Sequence, residues 1–208
     1  RSIISFCFSS IWNGTNWTEV NDLNTARKNI GGTGATNTAA LAFGGRTDPP
    51  TNLNAETESW NGTNWTEVSD LNSARRGPGN AGTSTAALAF GGATPRVANT
   101  EAWNGSAWYE VNDLNAATDN LGSLGATQSA ALAIGGEVPS VSAKVETWDG
   151  STWTETNDLN TARRNMGAAG TNTVGLAFGG DTDPTKVAVT EEWNANIAVG
   201  AWVTGGNL

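Results

Sequence analysis

Pairs of tryptophans recur along this chain at a nearly constant spacing, and no other feature restricts its fold so strongly. Trp60-Asn61-Gly62-Thr63-Asn64-Trp65 returns almost intact at Trp12 to Trp17, Trp103 to Trp108 and Trp148 to Trp153. The first Trp of each motif stands at 12, 60, 103, 148 and 193, in steps of 48, 43, 45 and 45. A second marker, Phe90-Gly91-Gly92, returns as Phe43-Gly44-Gly45, Ile134-Gly135-Gly136 and Phe178-Gly179-Gly180. Self-similarity at such a period marks a repeat architecture. What is common to all copies builds the scaffold, so a specific activity is to be sought where the copies differ.

Within one unit, Ala86-Ala87-Leu88-Ala89-Phe90 places Leu88 and Phe90 on one face and Ala87 and Ala89 on the other. Leu41/Phe43, Leu132/Ile134 and Leu176/Phe178 repeat this large face against small neighbours. Period two predicts a strand. A large and a small face in every copy predicts like sheets stacked face to face. Thr100 to Trp103 and Trp108 to Val111 read as two further strands joined by Asn104-Gly105, a strong hairpin signal because both residues tolerate positive φ. The tract Asn112 to Asn115, with relatives at 21–24, 69–72 and 157–160, reads as a polar turn capped by Asp or Asn. Glycine-rich segments at 30–36, 77–83, 121–127 and 166–171 precede each large/small strand, and predict close backbone approach. Four strands per unit, the first small enough to crowd an axis, predict an all-β chain: a single β-propeller of four-stranded blades.

The glycine pair closing an apolar strand, the aromatic that follows and the Trp shortly after it resemble the kelch repeat, with Trp60, Trp103 and Trp148 where kelch units usually have Tyr. The units are short for kelch. Their near identity is similar to kelch-type proteins of marine phages and bacteria. That resemblance implies a virion or extracellular surface protein, and it implies that the loops after the glycine pairs share the partner-binding face with the loops bearing the Arg pairs.

The whole chain, 1–208, reads as one domain with units at 21–68, 69–111, 112–156 and 157–194. Segments 1–20 and 195–208 complete one further blade, giving five, with Ala198 to Val203 as the strand that closes the ring and removes its open edges. In a second register Trp202 partners Trp193 in a hairpin enlarged by four residues, leaving Ser2 to Phe8 to supply the inner part of the first blade. Four blades plus extra strands are then the alternative.

Composition narrows the function. A net charge of −9 argues against a phosphate backbone as partner. No apolar run approaches the ~18 residues that span a bilayer, so membrane insertion is not expected. Ser2 to Phe8 is short, and no small-residue cleavage site follows it, which argues against a signal peptide. Arg1 at the start fits a fragment or a processed product. Cys7 is the lone cysteine. The absence of His removes the usual general base, triad and zinc chemistry, so the chain reads as no enzyme, with no cofactor and no metal. With few large aliphatic residues, Trp12, Trp17, Trp60, Trp65, Trp103, Trp108, Trp148, Trp153 and Trp193 are expected to supply the core.

Arg27-Lys28, Arg75-Arg76 and Arg163-Arg164 stand at one equivalent position, where the remaining copy has Thr118-Asp119. Such a ring of cations suits carboxylate or sulfate ligands. The competing reading pairs each Arg with the acid two residues before a Trp, namely Glu58, Glu101, Glu146 or Glu191, because buried charges need partners. Asp48, Arg96 and Asp183, in the unequal loops, complete the candidate ligand-binding set. The expected partner is a protein or glycan on a surface, or another virion protein. A binding or structural module is the primary reading, and a multivalent lectin is the alternative.

Overall fold

The computed structural model describes residues 9–48, 52–196 and 201–205. It is all-β. A hairpin of β1 (Ser9–Trp12) and β2 (Trp17–Val20) comes first, and four four-stranded antiparallel sheets follow. Sheet I orders β3 (Gly31–Thr36), β4 (Ala39–Phe43), β7 (Thr57–Trp60) and β8 (Trp65–Val68), with β5 (Arg46–Thr47) and β6 (Asn52–Leu53) forming a small ladder in its loop. Sheet II runs β9 (Gly79–Gly82), β10 (Ala87–Phe90), β11 (Thr100–Trp103) and β12 (Trp108–Val111). Sheet III runs β13 (Gly122–Thr127), β14 (Ala130–Ile134), β17 (Val145–Trp148) and β18 (Trp153–Glu155), with a loop ladder of β15 (Glu137–Val138) and β16 (Ser140–Val141). Sheet IV runs β19 (Gly167–Gly170), β20 (Val174–Phe178), β21 (Thr190–Asn194) and β22 (Ala201–Thr204). The first strands touch in the series β3, β9, β13, β19.

The alternation of large and small side chains builds the stack. Leu41 and Phe43 of sheet I pack on Ala87, Ala89, Trp103 and Trp108 of sheet II. Leu88 and Phe90 pack on Ala131, Ala133, Trp148 and Trp153 of sheet III. Leu132 and Ile134 pack on Ala177, Trp193 and Trp202 of sheet IV. Where Phe closes the second strand, the second Trp of the next sheet meets its ring, at 4.9 Å between centroids for Phe43–Trp108 and 4.7 Å for Phe90–Trp153. The same indoles donate across the junction, Trp108 Nε1 to Thr57 Oγ1 and Trp153 Nε1 to Thr100 Oγ1, each at 3.0 Å. Phe43 is registered on Thr57 and Phe90 on Thr100. At the third junction the registered pair is Ile134 and Val145, and the buried Trp202 Nε1 has no hydrogen-bond partner.

The first Trp of each pair holds the turn between the first two strands of its own sheet. Trp60, Trp103, Trp148 and Trp193 donate Nε1 to the carbonyls of Asn37, Ser84, Gln128 and Asn172. These four, with Trp108 and Trp153, are buried, as the low aliphatic content requires; Trp65 is half-buried. Trp12 and Trp17 depart from the expected core, being 47% and 70% exposed. An indole of this kind is covered by the sheet before it, and no sheet stands before β1 among the described residues.

The closing strand also differs from the five-blade expectation. β22 pairs with β21, with Trp193 opposite Trp202, so the C-terminal strand completes sheet IV and not the first unit. The enlarged hairpin is the register observed. The part assigned to Ser2 to Phe8, like Cys7, lies outside the described residues.

Two local expectations need revision. In the Trp-flanked turns only the glycine takes positive φ, as at Gly62 (+93°). The Asn instead caps the turn: Asn61 Oδ1 accepts from the amides of Thr63 and Asn64 at 2.9 Å. First-strand glycines answer mainly to their own sheet. A Cβ on Gly31, Gly79 or Gly167 would run into the ring of Phe43, Phe90 or Phe178. Crowding between sheets is present too, since a Cβ on Gly125 would stand 2.7 Å from Ala81 Cβ.

Candidate functional site

The connectors between sheets decide which charges reach the surface. In Asn112-Asp113-Leu114-Asn115 and its relatives, Leu71, Leu114 and Leu159 are buried in the core. The Asp caps the start of a strand, Asp70 accepting from Thr57 N and Asp113 from Thr100 N. The last Asn latches onto the next sheet: Asn72 Nδ2 donates to Glu101 Oε2 and to the carbonyl of Trp108.

Three residues later stands the first member of each basic doublet, and it points inward. Arg27 meets Glu58 and Arg75 meets Glu101, each at 2.7 Å, and Arg163 meets Glu191 at 2.5 Å, with the side chains essentially inaccessible. The pairing reading therefore describes Arg27, Arg75 and Arg163. Each guanidinium also donates to a backbone carbonyl, of Gly44, Ala89 and Ala177 respectively. The carboxylate and carbonyl partners offset the desolvation of the two charges, while Nε of Arg75 and of Arg163 is buried without a hydrogen-bond partner.

The third copy breaks the pattern. Glu146 is 8% exposed, and Asn115 donates to its Oε2 from the backbone amide (2.9 Å) and from Nδ2 (2.7 Å). Thr118 stands where the other copies have Arg, and its hydroxyl donates to Ala116 O. A cavity of about 20 Å³, lined by Thr118, Ala133, Gly135 and Glu146 among others, marks the place of the missing side chain. That is room for a single water-sized group.

The second members of the doublets face the loops. Lys28, Arg76, Asp119 and Arg164 form isolated bridges with Arg46, Ala93, Glu137 and Asp181, the residues just after the glycine pairs. The loops expected to share one face therefore do meet. Lys28 pairs with Asp48, and Arg46 lies 3.8 Å from the same carboxylate. Arg76 Nε donates to Thr94 Oγ1 at 3.4 Å.

Around sheets II to IV the charges form one chain of alternating sign. Arg96 reaches Asp119 (2.6 Å) and Glu137 (2.9 Å). Glu137 also pairs with Arg164, which holds Asp181 (2.9 Å) and Asp183 (3.4 Å). Lys186 stands 3.9 Å from Asp181. The hydrogen bond to Asp119 raises the Arg96 pKa and that to Glu137 raises the Arg164 pKa, while the amide of Asn165 leads in lowering Asp181. Arg164, Glu137, Pro139, Ser140, Thr182 and Asp183 line a shallow depression between the loops of sheets III and IV. Such a surface offers hydrogen-bond donors and acceptors of both signs on a rigid base.

No protein-family model and no curated protein sequence matches this chain. Among the described residues no group of three or more His, Cys, Asp or Glu side chains converges as a metal site. Of the sequence candidates, Arg96, Arg164 and Asp183 lie in the loop network, Lys28 and Asp48 form a separate group with Arg46 on sheet I, and Arg76 reaches Thr94 in the loop of sheet II. Asp119, Glu137, Asp181 and Lys186 belong to the same network, and sequence reasoning did not gather them there. The departure at Thr118-Asp119 was the available signal, because an acid in a basic slot calls for a cation from elsewhere.

Proposed function

We propose that the four sheets are blades of a kelch-like β-propeller, and that the chain is a non-catalytic binding or structural module. The observation that supports this most is the alternating charge network on the loops: variable residues are gathered at one end of a scaffold whose repeated residues are taken up in packing. Its partner is a protein or glycan on a surface, and the resemblance to phage and bacterial kelch-type chains favours a virion or extracellular setting. Recognition proceeds by shape and by charge-assisted hydrogen bonds from Arg96 and Arg164.

A panel of carboxylated and sulfated glycans tests this reading with wild type and Arg164→Ala. Binding that Arg164→Ala abolishes at unchanged melting temperature supports ligand recognition by the loop end. Recovery of the chain at fixed stoichiometry in a purified particle supports the structural role. Turnover of any substrate in a hydrolase screen overturns both.

A lectin remains a second reading because of one place. Trp12 and Trp17, exposed at the edge of the stack, line an apolar groove with Ile11, Ala40, Trp60 and Trp65. Glycan binding lost in Trp12→Ala but kept in Arg164→Ala selects that reading.

A further inference from the structure

The two ends of the stack are unequal, and each lacks what the other presents. At every junction inside the chain, the Leu and Phe or Ile of one sheet are covered by the Trp pair of the next. Leu41, Leu88 and Leu132 are accordingly inaccessible. Their equivalent in sheet IV, Leu176, is 39% exposed, and Val174 and Val203 are exposed as well. Phe178 is registered on Thr190, as Phe43 is on Thr57 and Phe90 on Thr100. Thr57 and Thr100 receive an indole N–H, whereas Thr190 Oγ1 is buried without a hydrogen-bond partner.

The other end carries the matching group. Trp17 holds the position of Trp108 and Trp153, yet it is exposed, and it forms with Trp12 the same tilted pair (5.6 Å between centroids) seen in the buried copies. The β1–β2 hairpin sits on sheet I through Asn21, which donates to Thr63 O and Asn64 Oδ1, and through Asn24, which donates to Glu58. In register its Trp pair matches Trp103 and Trp108, whose face meets the preceding sheet at Phe43, although both indoles also border the groove shared with Ala40, Trp60 and Trp65 of sheet I. Trp17 and Leu176 both remain exposed, so among the described residues neither end covers the other.

We propose that the open face of sheet IV docks the β1–β2 hairpin of a second copy of this chain. Trp17 of that copy seats against Phe178 and Leu176 with its indole N–H on Thr190 Oγ1, and the chains associate head to tail. Such an interface uses two different patches, so it propagates to a ring or an open fibre. Glu192 regulates the contact. It is registered on Leu176 where the covered sheets place Ser59, Ala102 and Thr147 on their leucines, and it adds a carboxylate to a chain that already carries −9. Association is accordingly weak in low salt and strengthens as salt screens the like charges.

Sedimentation velocity across protein concentration, in low and high salt, tests the proposal. Wild-type mass is expected to rise above that of one chain with concentration and with salt, and Glu192→Thr to bring the rise to lower concentration. Trp17→Ala and Leu176→Glu change exposed positions and leave the fold intact. Each alone is expected to stay at the mass of one chain, while their equimolar mixture forms a two-chain species and nothing larger, because joining the one intact hairpin to the one intact face leaves only the altered hairpin and the altered face free. A wild type at the mass of one chain under all conditions overturns the proposal. Acrylamide quenching then separates the remaining cases: a shielded Trp17 means that the hairpin of the same chain closes onto sheet IV, and an accessible one means that the face stays uncovered. Loss of association leaves the loop-recognition reading standing, because its glycan test does not involve this face.

Discussion

Trp108 donates its indole N–H to the hydroxyl of Thr57 across the junction of sheets I and II, joining residues 51 apart in the chain at 3.0 Å. The bond turns a stack of apolar faces into a register, because the indole meets its acceptor in one position only. Trp153 and Thr100 repeat it. At the third junction Trp202 finds Val145 and is left unpartnered.

Val145→Thr should therefore stabilise the protein. The new hydroxyl supplies the acceptor that Trp202 lacks, and a buried hydrogen bond of this kind contributes about 0.5–1.5 kcal/mol. Thr100→Val should cost a similar amount or more, because it strands the Trp153 donor. Urea denaturation of the two variants beside wild type gives both signs.

Arg75→Ala should be far more damaging, at about 3–5 kcal/mol, since it leaves the buried Glu101 without its cation. Ligand binding at the loop end should be unchanged in whatever fraction stays folded. A small change in melting temperature would mean that Glu101 finds another partner or water.

Thr118→Arg is the complementary experiment. It offers Glu146 the cation that the other three copies provide, in the cavity lined by Thr118, Ala133 and Gly135. The cavity holds only a water-sized group, so its lining must open for the guanidinium; when it does, the melting temperature should rise, and a crystal structure should show the guanidinium on Glu146 and the carbonyl of Ala133, by analogy with Arg75 on Ala89. Lower stability would show that the site has collapsed too far to admit the side chain.

Asp149 titrates late. The amide of Thr152 leads, with the hydroxyl and amide of Ser151, in holding its pKa at about 2, below the ordinary 3.8. The folded value is depressed, so its contribution to stability is complete above pH 3.8 and is lost as pH falls through about 2. Asp149→Asn places there the residue that caps the other turns, and the variant should show no dependence from this site across that window. Carboxyl chemical shifts followed by NMR report the titration directly.

Much of the scaffold was legible because it depends on neighbours in sequence. Leu88 and Phe90 alternate with alanines, and their strand follows. Arg75 and Glu101 were legible as a pair because charges repeated with the core need partners. The exposure of Trp17 was not legible, because Trp108 and Trp153 are covered by the sheet before them and not by their own motif, and no sheet stands before β1 among the described residues. The strand at Trp202 was legible only as the second register, because its longer turn shifts the spacing from that of the other Trp pairs. The network through Arg96, Asp119, Glu137 and Arg164 joins loops from three sheets. It becomes visible only once the loops converge, although Asp119 in a basic slot pointed to it.

The phenyl ring of Phe90 lies over Gly79, and those of Phe43 and Phe178 lie over Gly31 and Gly167. The two positions in each sheet are thus a single heritable unit. A copy that gains a side chain at the glycine must shrink the aromatic in the same step or lose its junction. Sheet III, with Ile134 opposite Gly122, is the one that has already left this constraint. A tandem array built this way diverges at its loops first, and its interior changes by linked pairs or not at all.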